Sequence, residues 1–270
     1  MNLNISEHLD NAQSYVIEVR NLSFSYAQNE EIPVLSNINF KASKGEFICL
    51  LGLSGCGKST LLRLLAGLEK PSSGEILLNG RKIKGSGLDR GIVFQDYGLF
   101  PWMSAGNNIR LALEQKFPDW NKKKIKQAAI NSLLQVGLDE NVYKKLPKAL
   151  SGGMKQRCAI AQAFAINPSI LLMDEPFGAL DAVTRSRLQD MLLSLWTSEN
   201  PKKTIFFVTH DVDEAIFLAE RIIIIGHSPG KIIYDCSIPG GRKATRETQF
   251  HDIELLRLRN ELIRILNCDA

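Results

Sequence analysis

Residues 47–66 read FICLLGLSGCGKSTLLRLLA: five apolar positions, a loop holding three glycines, then leucines at helical spacing up to a natural stop at Gly67. Five consecutive residues without a polar position belong in a sheet covered on both faces. Glycines between such a strand and a helix tie the two into one strand, loop, helix unit. That unit requires neighbouring strands and helices on either side of the sheet, which selects an α/β architecture.

The rest of the chain agrees. "YVIEVRNLSFSY" (15–26) and "VLSNINFKA" (34–42) alternate apolar and polar positions as half-buried strands do, with a turn at "NEEIP" between them. "GEILLNG" and "GIVFQ" predict further short strands. Residues 104–166 are richest in helical patterns, over Ala105 to Glu114, Lys122 to Val136 and Gly153 to Ile166. From Ile170 the alternation resumes: strand "ILLMD", helix Ala182 to Trp196, strand "TIFFVTH", helix Val212 to Ala219, then strands "RIIIIG" and "KIIYDC". Buried strands alternating with helices predict a mostly parallel core sheet. The closing "DIELLRLRNELIRIL" is an amphipathic helix with Leu255, Leu256, Leu262, Ile263 and Leu266 to bury, so it is expected to pack on the main body. The expected organisation is a polar leader (1–14), a main domain (15–240) and a linker with a C-terminal helix (241–270).

With 270 residues, 44% of them hydrophobic, a sizeable core is available. A formal net charge of +4 gives no case for nucleic acid as a partner. Cys49, Cys56, Cys158, Cys236 and Cys268 form no CxxC pair, and His8, His210, His227 and His251 are far apart, so neither a zinc framework nor a disulfide scaffold is expected. The first 14 residues have no cationic start and no apolar core of signal-peptide length, and secretion is not expected. The longest apolar stretches fall far short of the roughly 20 residues of a membrane helix.

The glycine loop fits G-x-x-x-x-G-K-[ST] at Gly52, Gly57, Lys58 and Ser59. Backbone N–H groups can face phosphates where no Cβ obstructs them, a lysine offsets the charge of the terminal phosphates, and a hydroxyl can ligand Mg²⁺. A helix starting at Lys58 adds its positive end. The competing reading, a chance match in a glycine-rich turn, is disfavoured by the strand before the loop and the helix after it. A second site comes from "ILLMDEPFGALD": Asp174 at the tip of a buried strand can hold the Mg²⁺ shell, and Glu175 can act as base or orienter for an attacking water. Alone, that segment also reads as an acidic strand-to-helix cap.

At "LSGGMKQR" (150–157) the chain resembles the ATP-binding cassette (ABC) family, over about residues 15–235. The resemblance implies a P-loop NTPase cassette: a mostly parallel core sheet, an N-terminal antiparallel β subdomain and an inserted α-helical subdomain at about 100–166. It implies ATP and Mg²⁺ as cofactors, ATP hydrolysis, and a head-to-tail homodimer in which Ser151, Gly152 and Gly153 cap the γ-phosphate on the partner's loop. That loop comprises Gly52, Leu53, Ser54, Gly55, Cys56, Gly57, Lys58, Ser59 and Thr60. Leu53 stands where proline is frequent in the family. Tyr26 matches the aromatic that stacks on adenine. Gln95 matches the glutamine of the Mg²⁺ and water shell that leads to the membrane partner. Asp181 ends the "GALD" loop that touches the opposite cassette, and His210 matches the histidine that contacts the γ-phosphate and orients Glu175.

A single cassette with "FQDYGLFPWMS" and "MDEPFGALDAVTR" resembles the importer branch serving nitrate, sulfonate and taurine. The implied setting is the cytoplasmic face of the cell membrane, with Phe100-Pro101-Trp102 receiving a separate permease; an extracytoplasmic solute-binding protein belongs to the same system. Asn107-Asn108 depart from the branch pattern, which often has an acidic residue before the asparagine. An exporter or lipid-trafficking ATPase, or a soluble non-transport ABC ATPase, remains open at this point. Cys56, beside Lys58 and a helix start, is expected to have a depressed pKa and to react readily with alkylating agents.

Overall fold

The computed structural model describes residues 15–26, 32–239 and 245–269. The leader and part of the linker before the last helix lie outside the described residues. In chain order the strands are β1 (Tyr15–Phe24), β2 (Leu35–Ser43), β3 (Phe47–Leu51), β4 (Ser73–Leu78), β5 (Arg81–Lys82), β6 (Arg90–Val93), β7 (Ile170–Asp174), β8 (Thr204–Thr209), β9 (Arg221–Ile225) and β10 (Ile232–Ser237). The helices are α1 (Lys58–Ala66), α2 (Ala105–Lys116), α3 (Lys122–Gln135), α4 (Gly152–Ala165), α5 (Ala182–Ser198), α6 (Val212–Leu218) and α7 (Ile253–Cys268).

Every residue of β3 is buried, and its period-2 alternation explains why none is polar. Ile48 and Leu50 join a core with Ile38, Phe40 and the leucines of α1, whereas Phe47, Cys49 and Leu51 join the core that holds Trp196 and Leu262. β3 sits inside a sheet ordered β10-β9-β3-β8-β7-β6, parallel throughout except for β10 against β9. A second sheet, β2-β1-β4-β5, is antiparallel. The expected mixture of a mostly parallel core sheet and an antiparallel N-terminal sheet is thus present, with α2, α3 and α4 inserted between β6 and β7.

The register of the parallel strands sets the site. Leu51 pairs with Thr209, Val208 with Asp174, and Met173 with Val93, so β3, β8, β7 and β6 end at one level. In open α/β sheets ligands bind outside the carboxyl ends of the strands, and here the residues that follow those ends are Gly52, His210, Glu175 and Phe94-Gln95.

Some boundaries differ from the sequence reading. β6 stops at Val93, so Gln95 lies in a loop rather than in a strand, and β8 stops at Thr209, leaving His210 beyond the ladder. α4 starts one residue early because Ser151 caps it, accepting a hydrogen bond from the Met154 N–H at 3.3 Å. The two-residue β5 pairs with Leu77 and Leu78 and has no apolar alternation of its own to announce it.

α7 is capped by Asp252, whose carboxylate accepts from the Glu254 and Leu255 N–H groups. Leu255, Leu258, Leu262 and Leu266 are buried on one face, while Leu256 and Ile263 are half-buried. Arg259 reaches Asp213 on α6 at 2.6 and 3.1 Å. The helix packs on the main body, as its pattern predicts. Among the described residues no helix is long and apolar enough to cross a membrane. Leu262→Ala is expected to destabilise the chain by about 2–5 kcal/mol, read as a lower urea midpoint, because Leu262 is fully buried.

Candidate active site

The glycine loop is shaped by close approaches as well as by turns. A Cβ at Gly52 would sit 2.5 Å from the Ile225 carbonyl oxygen, and one at Gly57 would sit 2.7 Å from Leu35 Cδ2 on a backbone with φ +99°. Ser54 and Gly55 are exposed at the tip, and Gly55 has open space around it. Lys58 is 4% exposed, and its ammonium donates to the carbonyls of Gly52 at 2.9 Å and Leu53 at 2.8 Å. The loop is closed over its own lysine, and the atoms of Leu53 that matter here belong to the backbone. The side-chain identity at 53 is therefore free of the lysine contact.

Ser59 Oγ donates to Asp174 Oδ1 at 2.7 Å, joining α1 to the end of β7. Burial pushes the Asp174 carboxyl above the usual range; the Ser59 hydrogen bond opposes this, and the neighbouring Glu175 charge adds to it. Such a carboxylate is short of positive charge. Glu175 follows in a left-handed backbone conformation, φ 41°, which β-strand continuation does not supply. Its N–H is held by the Val208 carbonyl at 3.2 Å, and its Oε2 lies 3.2 Å from His210 Nδ1. Serine, two carboxylates and histidine from three separate segments thus come together at the strand ends.

Gln95 is exposed beyond β6 and lines an open cavity of about 610 Å³ with Asp174, Arg63 and Gly98. Tyr26 is 58% exposed, packs edge-on against Phe24 at 4.8 Å, and its hydroxyl lies 3.2 Å from Thr60 Oγ1. That bond puts an aromatic face beside the first turn of α1. Ser151, Gly152 and Gly153 are elsewhere: Ser151 and Gly153 line a different cavity, with Arg157, Thr184 and Arg187, that shares no residue with the one at Gln95. Asp181 caps α5 by accepting from the Thr184 N–H at 2.9 Å, and its interactions with Thr184 hold the carboxyl below the usual range.

The expectation for Cys56 is corrected. The thiol is 1% exposed, and burial pushes its pKa up although the Lys58 ammonium, 3.8 Å away, opposes the shift. In an apolar setting the cost of making a buried thiolate outweighs one nearby cation.

Asn108 is a residue whose role sequence reasoning missed. Fully buried in α2, its Oδ1 accepts from the Phe100 N–H at 2.8 Å, and its Nδ2 donates to the carbonyls of Met103 and Ser104 at 3.1 Å. It pins the 100–104 loop, from which Phe100 and Trp102 project 39% and 74% exposed with ring centroids 5.4 Å apart. The adjacent Asn107 gives the sequence no way to tell which of the two amides turns inward.

A glycine loop opening a helix at the end of a buried parallel strand, with a serine hydroxyl bonded to a carboxylate two strands away, defines a P-loop nucleoside triphosphatase. Within that class the chain belongs to the ABC transporter family, whose model matches residues 35–178. It is 44% identical over 233 residues to the nitrate import ATP-binding protein NrtD of Synechococcus elongatus, covering 86% of this chain and 84% of that protein. It is also 44% identical over 225 residues to the aliphatic sulfonates import ATP-binding protein SsuB of Bacillus cereus, covering 82% and 86%. The ATP-binding cassette MJ0796, solved as a dimer in a post-hydrolysis state bound to ADP and Pi, matches with a TM-score of 0.73 at 33% identity, over 83% of this chain and 99% of that one. The fold and the ATPase class expected from the sequence are those of this family.

Burial also pushes Cys158 to about 12 and Cys236 to about 11, whereas Cys268 is exposed. Iodoacetamide at pH 7.5 is expected to modify exposed Cys268 first and to leave buried Cys49, Cys56 and Cys158 unmodified at one equivalent bound, located by peptide mass spectrometry, with ATPase activity unchanged.

Proposed function

We propose that the chain is the ATP-hydrolysing subunit of an importer for a small solute of the nitrate, sulfonate and taurine type. The observation that carries the catalytic half is the meeting of Ser59 with Asp174 and of His210 with Glu175 at one end of the sheet. In this reading Gly52 to Thr60 cradle the phosphates of ATP, and the Lys58 ammonium exchanges its bonds to Gly52 and Leu53 for phosphate oxygens. Tyr26 offers its exposed face to the adenine. Glu175 takes the proton of the attacking water, and His210, beside its carboxylate, fixes the carboxylate's orientation and faces the γ-phosphate.

The residues present fit Mg²⁺. Ser59, Asp174 and Gln95 offer hard oxygen donors, and a buried carboxyl with a raised pKa gains from a cation beside it. When bound, the ion neutralises charge developing between the β- and γ-phosphates.

Ser151 and Gly153 are exposed to their own cavity rather than to Lys58. Our reading gives Ser151, Gly152 and Gly153 to the γ-phosphate held by a second copy, in a head-to-tail homodimer, with residues 15–240 as the ATPase domain and about 100–166 as its helical subdomain. The Phe100-Pro101-Trp102 patch, apolar and pinned by Asn108, suits a helix of a separate permease. The subunit then lies peripherally on the cytoplasmic face of the membrane, with a solute-binding protein on the other side. The importer assignment draws on the nitrate and sulfonate relatives.

Glu175→Gln tests the reading. Turnover should fall by at least about 100-fold, with ATP still bound and a dimer accumulating in size-exclusion chromatography. Tagged wild-type protein purified from its native membrane should bring a permease, and its ATPase should be stimulated by nitrate, a sulfonate or taurine. Normal turnover of the variant refutes the role of Glu175, and recovery of ribosomes or lipid-trafficking components refutes the importer.

A further inference from the structure

Behind the His210 loop lies a set of polar contacts that the phosphate chemistry does not use. Arg246, in the segment leading to α7, stacks its guanidinium 4.3 Å over the Phe217 ring on α6 and meets Asp190 on α5 at 2.9 Å. Its Nη2 donates to the Ser186 carbonyl at 2.6 Å and to Gln189 Oε1 at 3.1 Å. Gln189, buried in α5, donates through Nε2 to Glu214 Oε1 at 2.8 Å. The other oxygen of buried Glu214 accepts from Thr209 Oγ1 at 2.5 Å, and that same hydroxyl oxygen accepts from the Asp211 N–H at 3.1 Å. Thr209 and Asp211 flank His210, so the chain of bonds ends by bracketing the histidine.

We infer that Arg246, acting through Gln189, Glu214 and Thr209, is a positioning residue for His210, so that the segment before the last helix sets the turnover rate of the ATPase. The inference rests on the role given to His210 above. The direction of each bond makes the chain specific. A guanidinium can only donate, so the Gln189 amide must turn its oxygen to Arg246 and its nitrogen to Glu214. Glu214 must then present acceptors on both oxygens, which commits the single Thr209 proton to it and leaves the Thr209 lone pairs for Asp211. Without Arg246 the Gln189 oxygen loses its donor, and the amide that donates to Glu214 is no longer held from behind.

The buried carboxyl is poised to respond. Burial pushes it above the usual range, and the hydrogen bonds from Thr209 and Gln189 oppose this. Among its charged neighbours, Asp211 raises it and Arg185 lowers it. Losing the Gln189 donor moves Glu214 toward its neutral form, which bonds Thr209 differently and releases the bracket. Arg259 on α7, paired with Asp213 on α6, braces the same helix from a second side.

Steady-state ATPase kinetics of the full chain test the proposal with Arg246→Met, Arg246→Lys, Gln189→Leu, the double variant Arg246→Met/Gln189→Leu, and His210→Ala as reference. The expected result is a 3- to 10-fold loss of kcat in Arg246→Met with KM for ATP within 2-fold of the parent. Arg246→Lys should recover part of it, and the double variant should be no slower than the worse single one, as residues acting in one chain are not additive. Unchanged kcat in Arg246→Met overturns the inference. So does a loss that adds in the double variant and tracks a falling Tm, which marks a packing role. Full activity of His210→Ala refutes the reading of the active site instead, and is told apart by that variant alone.

Discussion

The whole site depends on one strand being covered on both faces. β3 carries no polar side chain because Ile48 and Leu50 face one core while Phe47, Cys49 and Leu51 face the other. Cover on both sides permits parallel neighbours, and parallel neighbours in register end together. From that alignment follow the positions of the glycine loop, of Asp174 at the tip of β7, and of Glu175 and His210 immediately beyond β7 and β8. Rigid strands place the chemistry, and loops supply it. The left-handed backbone of Glu175 is the local cost of turning a side chain toward His210 at the end of such a strand.

Much of this was legible in the residues. β3 and α1 were marked by an uninterrupted apolar run, glycines and a leucine period, and α7 by the spacing of its apolar residues. Asp174 and Glu175 were readable because a short apolar strand ends on them. What the sequence could not convey was distance. Nothing in the local pattern says that Ser59 touches a residue 115 positions away, or that Asn108 turns inward to hold Phe100 and Met103. The reading of Cys56 failed for a similar reason: proximity to Lys58 is visible in sequence, but the burial that dominates its ionisation comes from residues far along the chain.

The helices inserted between β6 and β7 add a second kind of organisation. They carry Ser151 to Gly153 at the start of α4 and follow the Phe100–Trp102 loop, which Asn108 fastens to α2. A fully buried amide with four hydrogen bonds is a rigid joint. α2 packs in turn on α3 and on α4, the helix that Ser151 caps.

The bonds from Lys58 to the carbonyls of Gly52 and Leu53 carry a consequence for selectivity among ligands. The ammonium is already satisfied within the loop, so an incoming anion gains only the difference between its own oxygens and two carbonyls. A single weak acceptor gains little from that exchange, whereas a polyphosphate meets the lysine, the loop amides and the helix start at once. The arrangement of the loop thus favours a ligand with several charged oxygens in a row over a single weak acceptor.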